Sequence, residues 1–273
     1  MESLELHPRF FHVYQDSPRG REALMQSAFF CRMLGAAPVV YVPEAPRFLM
    51  YFENRVVQVD LGEEDWGRAG RSAAAARAAE ILADVGLDAR FLEVRHRTTP
   101  ALPDIPVDYD YMACPVPLDA RLWLYSDLGM RKLPAVAPFP IFIPAVVSRP
   151  WKSILCCHGG TKSAAAVFSL AQNLAREMDL PLDLLGLGAR EILDASLQKT
   201  PKGIRHFLWL EKGKGNPWME VPADALIVLA AWGGSWIREA LLPSFKKDLR
   251  RRLPSPMLFV GPQAAGEITS SHG

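Results

Sequence analysis

Short apolar runs that do not alternate, each followed by a stretch of helical period, set the tightest limit on what this chain can fold into. Leu226 to Ala230 is such a run, and Gly233 and Gly234 break it. A strand that alternates apolar and polar residues can face water on one side. One that does not must be buried on both, which places it inside a mostly parallel sheet covered by helices. After the glycines the period changes: Ile237, Leu241, Leu242, Phe245 and Leu249 recur at helical spacing, and Lys246, Lys247, Arg250, Arg251 and Arg252 gather in the last turns. Cations favour that end of a helix. Pro254 and Pro256 stop the helix, and Met257 to Val260 reads as the next buried strand.

The same order can be followed from the start of the chain. Phe10 to Tyr14 reads as a strand, Gln15-Asp16-Ser17-Pro18 as a turn, and Gly20 to Leu34 as a helix with Leu24, Ala28, Cys31 and Leu34 on one stripe and Gly35 as its stop. Further strands are expected at Pro38 to Val42, Ala89 to Val94, Tyr109 to Pro115 and Phe139 to Ile143. Helices are expected at Ser72 to Val85, ending at Gly86, and at Leu118 to Leu133, with a surface loop over His96 to Val107. Phe48 to Phe52 and Arg55 to Leu61 read as two strands turning at Glu53-Asn54. Val146 to Pro150 is the joint, after which the order restarts. Ser153 to Cys157 is a strand, His158 to Thr161 a turn, and Ser163 to Met178 a helix with Val167, Leu170, Leu174 and Met178 on one face. Leu182 to Leu187 and His206 to Leu210 are strands, Glu191 to Gln198 belongs to a helix, and Asn216 to Glu220 is a loop. The expected architecture is α/β: two tandem doubly wound domains, residues 1–147 and 148–273, each of ordinary domain size.

The last β-α-β unit resembles that of the universal stress protein family, whose nucleotide-binding members carry G-x2-G-x9-G-[ST] there, followed by a helix and a strand entered by Pro-x-Pro. Gly233 and Ser244 match that pattern, and Pro254-Ser255-Pro256 falls in register, with Pro138-Phe139-Pro140 as its counterpart in the first half. Ala230 and Pro243 stand where the other two glycines would be. The resemblance implies strand order 3-2-1-4-5 in each of two sheets, with any ligand at the carboxyl ends of the strands. Family members pair across their last strand. The resemblance thus implies that a tandem chain makes this pair within itself, through Phe139 to Ile143 and Met257 to Val260.

Composition removes several classes of function. A net charge of +1 over 273 residues, with both signs dispersed, gives no electrostatic reason to expect nucleic acid or a membrane surface as partner. Cys31, Cys114, Cys156 and Cys157 lack metal spacing and read as small core residues in a reducing, cytoplasmic setting. The amino-terminal residues carry no leader pattern, and no apolar stretch is long enough to span a bilayer. His158 beside Cys157 is not a nucleophile and base, because neighbours on a strand point apart. Trp209, Trp218, Trp232 and Trp236 read as core or subunit-contact residues, and His158 as structural or solvent-facing.

The best candidate pocket lies in the second half. It joins Gly159, Gly160 and Thr161, after the first strand of that half, to Gly233, Gly234 and Ser244, near its fourth. Against a bound ATP or AMP, Gly159 stands where the family's nucleotide binders carry an acidic residue, and Pro243 has no N–H to offer phosphate. In the first half Asp16 keeps the acidic turn, but Val116 to Ala120 has no glycine, and Asp16 is expected to cap the helix that follows. Two functions follow: a non-enzymatic stress-response module that binds an unidentified protein partner without cofactor, or an adenine-nucleotide sensor or slow ATPase using the second half. Homodimer formation is left open.

Overall fold

The unalternating runs are strands buried on both faces, and the segments between them of helical period are helices, in the computed structural model of the chain. It describes residues 7–14, 16–42, 48–52, 55–59, 64–92, 109–113, 137–145, 147–158, 162–187, 203–210, 221–230 and 255–270. In order these form β1 (Arg9–Val13), α1 (Pro18–Leu34), β2 (Ala37–Tyr41), β3 (Phe48–Phe52), β4 (Arg55–Val59), α2 (Glu64–Ala83), β5 (Arg90–Leu92), β6 (Tyr111–Ala113) and β7 (Ile141–Ile143). Then come β8 (Ser153–His158), α3 (Lys162–Glu177), β9 (Leu182–Leu187), β10 (Ile204–Leu210), β11 (Ala225–Ala230), β12 (Met257–Val260) and α4 (Pro262–Ser270). The helices expected at Leu118 to Leu133, Glu191 to Gln198 and Ile237 to Leu249, and the loops at His96 to Val107 and Asn216 to Glu220, fall outside the described residues.

Ten strands make one sheet in the order β10-β9-β8-β11-β12-β7-β6-β1-β2-β5, while β3 and β4 pair antiparallel as a separate ribbon. Taken by halves, β5-β2-β1-β6-β7 and β10-β9-β8-β11-β12 have the same order, 3-2-1-4-5. The two sheets join into one as the resemblance implied, because the last strands of the halves pair. That pair, β7 with β12, is antiparallel, and every other pairing in the sheet is parallel. Phe142 faces Leu258 with Ile141 opposite Phe259 and Ile143 opposite Met257, so the register is symmetric about a local two-fold axis. Carried outward through the neighbouring strands, this register sets Phe11 in the place of Leu155, and hence Tyr14 in the place of His158.

The two Pro-x-Pro segments do the same work in each half. Met112 N–H donates to the Pro140 carbonyl at 3.2 Å, and Ile227 N–H donates to the Pro256 carbonyl at 3.0 Å. Each proline thus sits at a strand entrance, where it accepts a ladder bond and its missing N–H costs nothing. Ser255, held between its prolines, is buried and donates to the Pro222 carbonyl at 3.0 Å.

The four described helices attach to one face of the sheet, through Phe10, Phe30, Val167, Leu174, Leu258 and Ala264 near its middle and Leu24, Val40, Ala78 and Leu82 at the first-half end. Phe11, Met112, Leu155, Leu185 and Phe259 point to the opposite face and are buried as well. Gly35 stops α1 as expected, in the left-handed region at φ 65°, where a residue without Cβ is unstrained.

The joint between halves is held by α1. Gln26 grips both backbone groups of Ala145: its amide donates to the carbonyl at 2.9 Å, and its Oε1 accepts from the N–H at 2.8 Å. One turn earlier, the Glu22 carboxylate accepts from Ser148 N–H at 2.9 Å. Trp151 then packs edge-on against Phe29, with ring centroids 4.5 Å apart, and beside Phe142. The cluster around Phe10, Phe142, Trp151, Ile154 and Leu258 therefore crosses from one half into the other.

Candidate functional site

In an open α/β sheet the place for a ligand is the carboxyl edge at the point where strand order reverses. Here there are two such points, between β1 and β6 and between β8 and β11.

At the first, β1 delivers Tyr14 and the turn after it delivers Asp16. Tyr14 is fully buried, and its N–H bonds the Tyr41 carbonyl at 2.8 Å, which continues the ladder one residue past the strand. Its hydroxyl donates to Asp16 Oδ1 at 3.2 Å. The same carboxylate meets Arg77 of α2 at 3.3 Å and Arg21 of α1 at 3.8 Å. Burial, with the negative charge of Asp16 beside it, pushes the Tyr14 phenol up to about 12, so it stays a donor throughout the physiological range. Asp16 is not the helix cap. Ser17 is the cap, its Oγ accepting from Gly20 N–H at 3.0 Å, and α1 starts at Pro18, the residue type best suited to that position. Asp16, freed from capping, is held by one phenol and two guanidinium groups.

At the second switch point β8 and β11 lie side by side and parallel, with Cys157 in register with Leu229. Gly159, Gly160 and Thr161 follow β8 in sequence, and Gly233, Gly234 and Ser244 follow β11; all six lie outside the described residues. His158 ends β8 inside the protein rather than in a turn. It is 1 % exposed, its ring stands edge-on to Phe168, and burial lowers its pKa. Of its two expected roles, solvent-facing is therefore ruled out. Cys156 and Cys157 point to opposite faces, as expected of neighbours on a strand, and burial raises both thiols, Cys157 to about 12. Cys31 is buried and raised too, so none of these three is a ready nucleophile. Trp209 lies half-buried on β10 beside Phe207, with its Nε1 buried and unpartnered; Trp218, Trp232 and Trp236 lie outside the described residues.

Two polar groups were not singled out from the sequence. His12 is buried on β1 and meets Ser27 Oγ at 2.9 Å. Asp183, 2 % exposed on β9, accepts from Arg205 Nε at 3.0 Å, from Arg205 Nη2 at 2.6 Å and from His206 Nδ1 at 3.1 Å. A charged residue inside the run Leu182 to Leu187 is the only sequence signal for it. The cluster sits near the amino end of β9, away from both switch points, and ties it to β10 where their register shifts between Ile204 and His206. Among the described residues no group of three or more His, Cys, Asp or Glu is placed to hold a metal ion, and no helix is long and apolar enough to cross a membrane.

No protein-family profile and no curated protein matches this chain. Solved structures do. A universal stress protein from Archaeoglobus fulgidus DSM 4304 aligns over 93% of this chain and 98% of its own at a TM-score of 0.60 and 14% identity. A candidate universal stress protein from Pseudomonas aeruginosa UCBPP-PA14 aligns over 97% and 98% at 0.50 and 14% identity. A functionally unknown protein from Pseudomonas aeruginosa PAO1 aligns over 97% of each chain at 0.49 and 15% identity. At such identities the likeness is one of fold, and the fold of this chain is that of the universal stress proteins.

Proposed function

We propose that this chain is a tandem universal stress protein that acts as a non-enzymatic regulatory or partner-binding module in the cytoplasm. The observation that carries the reading is the state of Asp16. At the first switch point the one acidic side chain on the turn after β1 is engaged by Tyr14, Arg21 and Arg77, and is not left free to receive a ligand. Among the described residues the thiols are buried and protonated, and His158 is enclosed. The departures at Ala230, Pro243 and Gly159 support the same reading for the second half. Titrating ATP and AMP by calorimetry into protein purified without added ligand tests it. The expected result is no binding in the micromolar range; micromolar binding accompanied by ATP turnover overturns the proposal.

A second reading, an adenine-nucleotide sensor or slow ATPase, draws on the placement of β8 beside β11. Gly159, Gly160 and Thr161 follow β8 in sequence, and Gly233, Gly234 and Ser244 follow β11, the strand paired beside it. It requires adenine nucleotide to co-purify with the wild type and to be lost in Gly233→Asp. A wild type that carries none ends it.

A further inference from the structure

Helix α1 makes two buried polar grips on consecutive residues. Gln26 holds Ala145 in the joint, and Ser27 holds His12 on β1 at 2.9 Å. His12 is 1 % exposed, and its Nε2 is buried with no hydrogen-bond partner. A neutral imidazole tolerates this site. An imidazolium does not, because it carries a donor on each nitrogen and a charge that burial separates from water.

Among the described residues, nothing around the ring compensates that charge. The strands beside His12 place Val40 and Ala113 in register with it. The titratable side chains buried on the elements around it are Cys31 on α1, Tyr111 on β6, Tyr14 on β1 and Tyr41 on β2, the last in the cluster of the opposite face, while the buried side of α3 carries none; Glu22, half-buried on α1, is engaged with Ser148 N–H. Asp16, Arg21 and Arg77 belong to the carboxyl edge and pair with one another. Burial is the whole cause of the ring's reluctance to take a proton, and it brings the pKa down from 6.5 to about 3.

We propose that His12, buried beneath α1 beside Ser27, is an acid-sensitive latch: protonating the ring requires α1 to lift from β1, and the grip of Gln26 on the joint opens with it. The sign follows from linkage. Between the two pKa values the opened form binds more protons than the closed one, so the closed form is fully stable above about 6.5 and loses stability as pH falls toward 3. From pH 7.5 to pH 5 the opening equilibrium rises by about thirtyfold.

Amide hydrogen exchange of the full chain over that pH range, corrected for the intrinsic rate, measures the opening directly. In the wild type, protection over Leu24 to Leu34 and over Ala145 and Ser148 is expected to fall together by roughly thirtyfold. In His12→Leu, which keeps an apolar side chain of similar bulk, both are expected to become nearly independent of pH; Ser27→Ala retains the dependence. An unchanged dependence in His12→Leu, or loss over α1 alone with the joint still protected, overturns the proposal. Should His12→Leu fail to fold, the proton resonance of the His12 ring in the native wild type decides. A ring that is still neutral at pH 5 while protection over α1 and the joint falls together supports the latch, and a midpoint near 6.5, or a neutral ring with protection unchanged, refutes it.

Discussion

Replacing Gln26 by leucine leaves a side chain of comparable bulk on α1 but removes both hydrogen bonds to the joint. Ala145 N–H and C=O are then left in a buried site, with Ala145 itself 7 % exposed. Each buried backbone group deprived of its partner costs about 1–3 kcal/mol. The apolar side chain returns roughly 1 kcal/mol, because it no longer buries an amide. The net loss expected for Gln26→Leu is about 1–5 kcal/mol, a large fraction of the 5–15 kcal/mol that holds a typical fold. Urea unfolding followed by far-UV circular dichroism reads it as a midpoint lower by about 1 M at an unchanged slope. Glu22→Gln, which weakens one partly buried bond to Ser148, should cost only about 0.5–1.5 kcal/mol. If Gln26→Leu unfolds within about 0.5 kcal/mol of the wild type, the joint is not held by this clasp, and the reasoning about its buried backbone groups is wrong.

Three other outcomes follow from the described side chains. Native protein at pH 8 should leave Cys31, Cys156 and Cys157 unlabelled by iodoacetamide, as peptide mapping before and after denaturation will show, because burial keeps all three protonated. Tyr14→Phe removes the donor to Asp16 and should lower stability by about 0.5–1.5 kcal/mol in denaturant melts; it should also delete the tyrosine whose ultraviolet titration has its midpoint near 12. Asp183→Asn leaves Arg205 and His206 without their carboxylate. Since both partners are exposed, the cost should be small in thermal melts, and a large loss would mean that solvent does not screen this pair.

Much of the sheet could be read from the chain because its strands are short, apolar and bounded by turn residues. Leu182–Leu187 and Met257–Val260 fall where expected, and Gly35 closes α1. The pairing of β7 with β12 was implied by the family resemblance rather than by any local pattern, since strand pairing is a long-range property; its antiparallel sense comes from the structure. Helix α2 begins at Glu64, earlier than the expected Ser72, and runs through Gly67 and Gly70, since a single glycine weakens a helix by only ~1 kcal/mol. Helix α4 was not foreseen at all: Gly261 and Pro262 suggest an ending, yet proline in a first turn equally starts a helix. At the site, capping passed from Asp16 to Ser17 because either residue type can cap, and only the backbone decides which. The partners of Asp16 were not legible, since Arg77 comes from a helix far along the chain. His12 and Asp183 escaped notice for a similar reason, as a polar residue in an apolar run shows its burial only once the covering element is placed.

The claim that matters most is that this fold works here without adenine nucleotide. Thermal unfolding of the purified full chain with and without millimolar magnesium-ATP tests it. A ligand at one hundred times its dissociation constant stabilises by about 2.7 kcal/mol, which for a chain of this size raises the midpoint by roughly 5–10 °C. The expected result is a midpoint unchanged within about 1 °C, and a rise approaching the full amount would contradict the account.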